Sequence, residues 1–139
     1  MDITKIPFNK FIGLKKSVKS GYLLMLDNRP EYRNHLDTVH ASAQFALAEA
    51  SSGYFLLNEF SELSDEIIPV VRKVETKYRK PALGAVFSKA QFHECEKDEI
   101  LNALNQKGRT ALKVDVSLFD EADVLVMQSV FEWFVTNKM

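Results

Sequence analysis

The stretch NHLDTVHASAQFALAEASSGYFLL, residues 34–57, determines how the whole chain is interpreted. It opens with polar, turn-forming residues and continues from residue 39 into a proline-free run of alanine, leucine and glutamine, which favours a helix. Asp37 or Thr38 is expected to cap the first amide groups of this helix. Glu49 is the only charged residue between Asp37 and Glu59. A helix with so few charges is expected to be enclosed on most of its sides.

Glu49 needs a physical explanation, because an ionised carboxylate is costly to remove from water unless it is paired or hydrogen-bonded. Helical periodicity puts mostly small side chains on the face of Glu49, which leaves room for a ligand; they are Ser42, Phe45, Ala46, Ser52 and Gly53. Another stripe is expected to meet water; it consists of Gln44, Ser51 and Asn58. Two interpretations stay open: Glu49 is a functional carboxylate, or it only reaches solvent past the alanines.

Length and composition narrow the class of protein. The 139 residues, 46% hydrophobic and 27% charged, predict one domain over residues 1–139 with its own core. A net charge of -1, without an arginine–aromatic pattern, argues against a nucleic-acid partner. The N-terminal region has no long apolar run, so a cytoplasmic protein without a membrane partner is expected. Cys95 is the single cysteine, which excludes an internal disulfide, and three scattered histidines do not make a metal site.

The rest of the chain is predicted to be mainly strand. After a short amphipathic or irregular segment over residues 1–14, strands are expected at 21–26, 70–78, 85–92, 112–118 and 124–135, with a short helix over 96–106. In the second of these strands, alternation puts Val70, Val74 and Tyr78 on one face and Val71 and Lys73 on the other. A strand, a long helix and then four strands predict an α+β fold with an antiparallel sheet against the helix.

The residues from Asn34 to Glu49 resemble a known motif. Asn34, then Thr38-Val39-His40, a small-residue helix start and an acid nine positions after the histidine are similar to the signature of hotdog-fold acyl-CoA thioesterases, especially the phenylacetate-degradation type. The common form in that family is Asn, two variable residues, Gly-Thr-Val-His-Gly-Gly, and an Asp or Glu in the helix. Residues 78–84 also resemble the strand turn that follows. Here Asp37 stands at the first glycine, and Ala41-Ser42 replaces the glycine pair.

This resemblance implies a hotdog fold, in which a five- to six-stranded antiparallel sheet wraps a long central helix. It implies hydrolysis of an acyl-CoA thioester, with coenzyme A as part of the substrate and no separate cofactor. The implied catalytic groups are Glu49 as general base or nucleophile, the Ala41 amide as oxyanion donor, and the side chains of Asn34 and His40. The expected substrate-binding residues are Ser42, Phe45, Ser52, Gly53, Arg79 and Lys80. Arg79 and Lys80 have a second interpretation, as cations that protect an edge strand from aggregation.

Spacing along the helix predicts self-association. Ala41 and Glu49 are eight residues apart, about 12 Å along the axis, so they cannot both touch one carbonyl. Two antiparallel copies of the helix about a twofold axis would put Glu49 of one beside Ala41 of the other, with Phe45 at the midpoint. We therefore expect an isologous homodimer with two composite sites, alone or paired into a homotetramer.

Two other functions or folds compete with this prediction. A hotdog protein that binds acyl-CoA or an acyl chain without hydrolysing it is favoured by the missing glycines and opposed by Asn34, His40 and Glu49. A cone-shaped isomerase-like fold is a further α+β alternative, although its helices usually precede its strands.

Overall fold

Three helices and six strands make up the computed structural model, which describes residues 1–138. In chain order they are α1 (Pro7–Phe11), β1 (Lys15–Lys16), β2 (Leu24–Leu26), α2 (Ala41–Glu59), β3 (Ile67–Tyr78), β4 (Val86–Phe92), α3 (Lys97–Lys107), β5 (Arg109–Phe119) and β6 (Leu125–Asn137). Single 3-10 turns occur at Ile3–Lys5 and Pro30–Tyr32. No helix within residues 1–138 combines the length and the apolarity needed to cross a bilayer.

The long helix α2 packs against an antiparallel sheet with the strand order β1-β2-β4-β5-β6-β3. Alternate residues of β5 and β6, among them Val114, Val116 and Phe131, are fully or almost fully buried in the main core. The same core contains Leu47 and Leu56 of α2. This period-two burial opposite an apolar helix explains why the two elements associate. The predicted α+β hotdog architecture is confirmed, with six strands.

The expectation that Gln44 and Ser51 meet water is wrong. Their exposed fractions are 4% and 0%, so of that stripe only Asn58 is exposed. Ser51 Oγ donates to Leu47 O at 2.7 Å and lies 2.6 Å from Ser88 Oγ on β4. A serine that satisfies its hydroxyl inside the protein has no need of solvent. The helix is therefore enclosed at two of the three positions of its polar stripe.

The helix begins at Ala41, and its cap is His40, not Asp37 or Thr38 as predicted. His40 Nδ1 accepts a hydrogen bond from Ser42 N–H at 2.9 Å. Asp37 and Thr38 belong instead to a tight turn that Asn34 N–H closes by donating to Thr38 O at 2.8 Å. Asp37 has a φ of 60°, in the left-handed region that favours glycine, at the position where the motif has its first glycine.

The alternation predicted for residues 70–78 is wrong in its first half. A β-bulge shifts the register of β3 against β6 between Val71 and Lys73. An extra residue in one strand moves the following side chains to the opposite face. Val71 is consequently half-buried like Val74, whereas Val70 is exposed.

The left-handed turn leads to a stability prediction. Asp37→Val is expected to be less stable than Asp37→Gly by about 1–2 kcal/mol in free energy of unfolding, because a side chain with a branched Cβ resists a positive φ. Both variants remove the exposed contact between Asp37 and Arg33, so their difference isolates the backbone. Urea unfolding followed by circular dichroism measures it. Equal stabilities would mean that position 37 does not need a left-handed residue.

Candidate active site

Two of the cavities that border α2 are lined by predicted catalytic residues. The first, which we name the amide cleft, has a volume of about 270 Å³ and lies at the start of the helix. Its walls are residues 34, 38, 39, 41, 44 and 78–81. The second, which we name the Glu49 chamber, has a volume of about 500 Å³ and follows the later part of the helix. It is lined by Glu49, Gly53 and Leu57 of α2, by Trp133 of β6, by the start of β3 and by the N-terminal segment.

The amide cleft contains a free backbone donor. Ala41 N–H, in the first residue of α2, donates to no acceptor among residues 1–138, while the next amide is used by the His40 cap. Unpaired amide groups and the helix dipole make the start of a helix favourable for negative charge. The Ala41 side chain is exposed, so the cleft is open to solvent at this point.

Asn34 and His40 mainly organise the start of this helix. Asn34 Oδ1 accepts from Leu36 N–H at 2.9 Å and from Thr38 N–H at 3.1 Å, and Asn34 Nδ2 lies 2.9 Å from Thr38 Oγ1. Since the amide nitrogen carries two hydrogens, one remains for a ligand. His40 is exposed and uses Nδ1 as the helix cap, so Nε2 is its remaining ring nitrogen. Ser42 is exposed beside it.

Two further residues of the amide cleft are absent from the sequence-based site. Tyr78 Oη donates to Ala41 O at 3.1 Å, and burial raises the pKa of Tyr78, which favours the protonated donor. Gln44 Nε2 donates to Val39 O at 3.1 Å, and Gln44 Oε1 is buried without a partner among the described residues. Tyr78 begins the segment that resembles the family's strand turn, which was a usable signal. No signal in the sequence identified Gln44, because its burial depends on how the helix packs in the folded protein.

The two cations predicted to bind the substrate, Arg79 and Lys80, also line the amide cleft. The main-chain N–H groups of Arg79 and Lys80 donate to Val126 O at 2.8 and 3.3 Å, which ties this turn to the start of β6. Arg79 Nε donates to Gln128 Oε1, and both side chains are exposed. The structure thus brings Asn34 and Ala41 together with two positive charges.

Glu49 lies in the other cavity. It is half-buried, and its carboxylate has no hydrogen bond or ion pair among residues 1–138. Burial alone raises the pKa of Glu49 above its ordinary value. The other charged side chains that line the Glu49 chamber are Asp65 and Lys138. An unpaired, partly desolvated carboxylate is suited to accept a proton or to attack an electrophile.

Ser52 and Phe45 are placed differently from Glu49. Ser52 is buried. Its hydroxyl donates to Glu49 O at 2.7 Å and accepts from Trp133 Nε1 at 3.1 Å, so it is hydrogen-bonded within the protein and does not line the chamber. Phe45 is half-buried, with its ring centroid 5.8 Å from that of Phe131. Within this chain, then, the predicted residues fall into two groups that do not meet.

Solved structures with the same fold provide the comparison. A protein of unknown function from Pseudomonas aeruginosa, described as a probable thioesterase, has 23% identity and a TM-score of 0.82, with 98% of this chain and 91% of that chain covered. A thioesterase from Haemophilus influenzae has 14% identity and a TM-score of 0.72, with 97% and 86% covered. A Bacillus halodurans protein, determined with CoA, has 18% identity and a TM-score of 0.65, with 81% and 69% covered.

No curated protein matches this sequence. The family model described as "Domain of unknown function (DUF4442)" matches residues 5–135, almost the entire chain. The structural neighbours are proteins of the thioesterase superfamily. The chain therefore belongs to the DUF4442 family, a hotdog-type family with the fold of the thioesterase superfamily.

Proposed function

We propose that this protein is an acyl-CoA thioesterase, with Glu49 as general base or nucleophile and the Ala41 amide as oxyanion donor. The observation that carries the proposal is the unpaired, half-buried carboxylate of Glu49, on the same helix as a free amide group. Ester-type hydrolysis needs these two components, an activating base and a donor for the developing oxyanion. The CoA in the B. halodurans neighbour supports a CoA ester as the substrate.

The chemistry follows two routes that share these groups. As a base, Glu49 removes a proton from water while the water oxygen attacks the thioester carbonyl, and CoA leaves as the thiolate and takes up a proton. As a nucleophile, Glu49 attacks the carbonyl, expels the thiolate and forms an anhydride that water then hydrolyses. Single turnover in heavy-oxygen water separates the routes, because only the anhydride route can transfer the label to Glu49.

The two groups are assembled by a second copy of the chain in this proposal. Their separation of about 12 Å along α2 prevents them from sharing a carbonyl within one protomer. β3 is one of the two edge strands of the sheet and is 12 residues long, and its Ile68 and Val70 are 46% and 54% exposed. A long edge strand with exposed apolar side chains is a suitable surface for pairing with an identical strand. A twofold axis near Phe45 would then bring Glu49 of one protomer to the amide cleft of the other.

The amide cleft has the chemistry to bind the CoA portion. Arg79 and Lys80 supply charge for its phosphates, and Asn34 retains one amide hydrogen for the thioester carbonyl or the attacking water. His40 holds the helix start that presents the Ala41 amide. Ser42 lies exposed at the same end of α2, and the acyl group would extend from Glu49 toward Gly53, with Phe45 near the twofold axis.

The first test concerns turnover. Glu49→Gln is expected to lower kcat/KM for acyl-CoA by about 10²–10⁴ because it removes the base but keeps the shape of the side chain. Glu59→Gln, at the end of the same helix, is the matched control and is expected to keep wild-type activity. A panel of acyl-CoA esters assayed for thiol release provides the measurement. Tight binding without turnover by wild type and variant alike would instead indicate a non-catalytic acyl-CoA-binding protein.

The second test uses the pKa of Glu49. Because this pKa is raised, the folded protein binds a proton that the unfolded chain has released, between the ordinary and the raised value. The free energy of unfolding contributed by this group therefore falls as pH rises through that window. Glu49→Gln lacks the titration, so it is expected to gain stability relative to wild type from acid to neutral pH. Urea unfolding at a series of pH values measures this; parallel profiles would contradict the raised pKa.

The third test concerns the composite site. Ala41→Pro removes the N–H donor, and proline is well tolerated at the first position of a helix. His40, with φ -60° and ψ 140°, already has the conformation preferred before proline. Each homodimer, Ala41→Pro or Glu49→Gln, is expected to be nearly inactive.

A heterodimer of the two variants, co-expressed and purified through two different tags, has one intact site of two in this arrangement. It is expected to recover about half of the wild-type activity per dimer. An inactive heterodimer that is correctly assembled would mean that Glu49 and Ala41 act within one protomer or not together at all.

A further inference from the structure

The walls of the Glu49 chamber are mostly apolar, and two of their buried polar side chains, Trp133 and Asn9, are already hydrogen-bonded within the chain. Trp133 Nε1 donates to Ser52 Oγ, so the indole N–H does not need a hydrogen bond to a ligand. Asn9 is buried and donates through Nδ2 to Ile3 O at 3.0 Å, which anchors the N-terminal segment as one wall of the chamber. Ile3, Ile6 and Leu57 complete the apolar lining nearby. Asp65 and Lys138 are exposed, so apart from Glu49 the buried part of the wall is suited to a hydrocarbon.

Gly53 lines this chamber, and its lack of a side chain leaves space there. It is the one glycine of α2, and glycine within a helix costs stability relative to alanine. A Cβ at Gly53 would lie 3.5 Å from two carbons of Trp133 and 3.7 Å from Ile3 Cδ1, which are ordinary van der Waals distances. Packing inside the protomer therefore does not exclude alanine. What a methyl group would remove is space in the chamber, next to Trp133 and Ile3.

The helix provides a measure of the chamber's depth. Glu49, Gly53 and Leu57 follow one another at intervals of four residues, on one stripe of α2, and all three line the chamber. The distance from Glu49 to Leu57 along the axis is about 12 Å. An extended chain advances about 1.2 Å per bond, so this distance corresponds to about ten bonds.

We infer that the Glu49 chamber binds a linear acyl chain of about ten carbons, which runs from Glu49 past Gly53 to Leu57. This inference rests on the proposed function, because it takes Glu49 as the group beside the thioester. It assigns the substrate as a medium-chain acyl-CoA. Gly53 and Leu57 then determine the accepted chain length, while the N-terminal segment encloses the chain from the other side.

The experiment separates binding from turnover. Glu49→Gln protein is titrated by calorimetry with straight-chain CoA esters from acetyl to palmitoyl. Affinity is expected to rise about fourfold for each added CH₂ up to about ten carbons and then to level off. Affinity that does not depend on chain length would overturn the inference.

Two substitutions in the Glu49→Gln background test the wall residues in opposite directions. Gly53→Ala is expected to raise the Tm while lowering affinity for decanoyl-CoA about fourfold, with acetyl-CoA unaffected. A purely structural glycine would not combine these two effects. Leu57→Ala is expected to move the plateau to chains that are longer by about two carbons. Leu83→Ala, an exposed leucine outside the chamber, is the matched control.

The possible failures can be told apart. Chain-length-dependent binding without hydrolysis by the wild-type protein would refute the thioesterase but keep the chamber. Hydrolysis by the wild type, together with a length preference that Gly53→Ala and Leu57→Ala leave unchanged, would refute the chamber but keep the thioesterase. In the latter case the acyl chain lies elsewhere, such as between the two copies of the chain.

Discussion

The burial of α2 is the constraint on which the rest of the structure depends. A helix of 19 residues with one acid in its first 18 can be stable only if the sheet removes its apolar surface from water. The same enclosure leaves the Glu49 carboxylate partly desolvated and without a partner, and its pKa is raised. The packing that stabilises the fold is therefore also what perturbs this carboxylate. The serine pair Ser51 and Ser88 shows the contrasting solution, in which buried polar groups satisfy each other.

The direction of α2 separates the two groups of the proposed chemistry, the amide of Ala41 and the carboxylate of Glu49. Free amide groups occur only at the start of α2, whereas the desolvated acid lies more than two turns further along. One protomer cannot bring them together, because a helix is rigid over this distance. Symmetry offers a simple solution, since an antiparallel copy exchanges the two ends. The unpaired edge of β3 provides a surface on which such a pairing can form.

Sequence patterns predicted the architecture well but failed where side-chain surroundings mattered. Alternation in β5 and the uncharged run in α2 each reflect a local period, and both elements were found where expected. The bulge in β3 is not encoded by any local period, because it depends on the register with β6. Gln44 was expected at the surface because glutamine is polar, yet it is covered by the turn around Val39 and the end of β3. Its unpartnered oxygen is visible only in three dimensions.

The sequence alone determined the order of the main helices and strands, the lone acid at residue 49 in the interior of the central helix, and the separation of Ala41 from Glu49 along that helix. These follow from periodicity, composition and the fixed rise of a helix, which act locally along the chain. The tertiary structure alone decided that His40 caps α2, that Ser52 holds Trp133, and that Gly53 opens onto an apolar chamber with the N-terminal segment as its wall. These features depend on contacts between residues far apart in the chain, and no local pattern specifies which distant side chain will occupy a given neighbouring position.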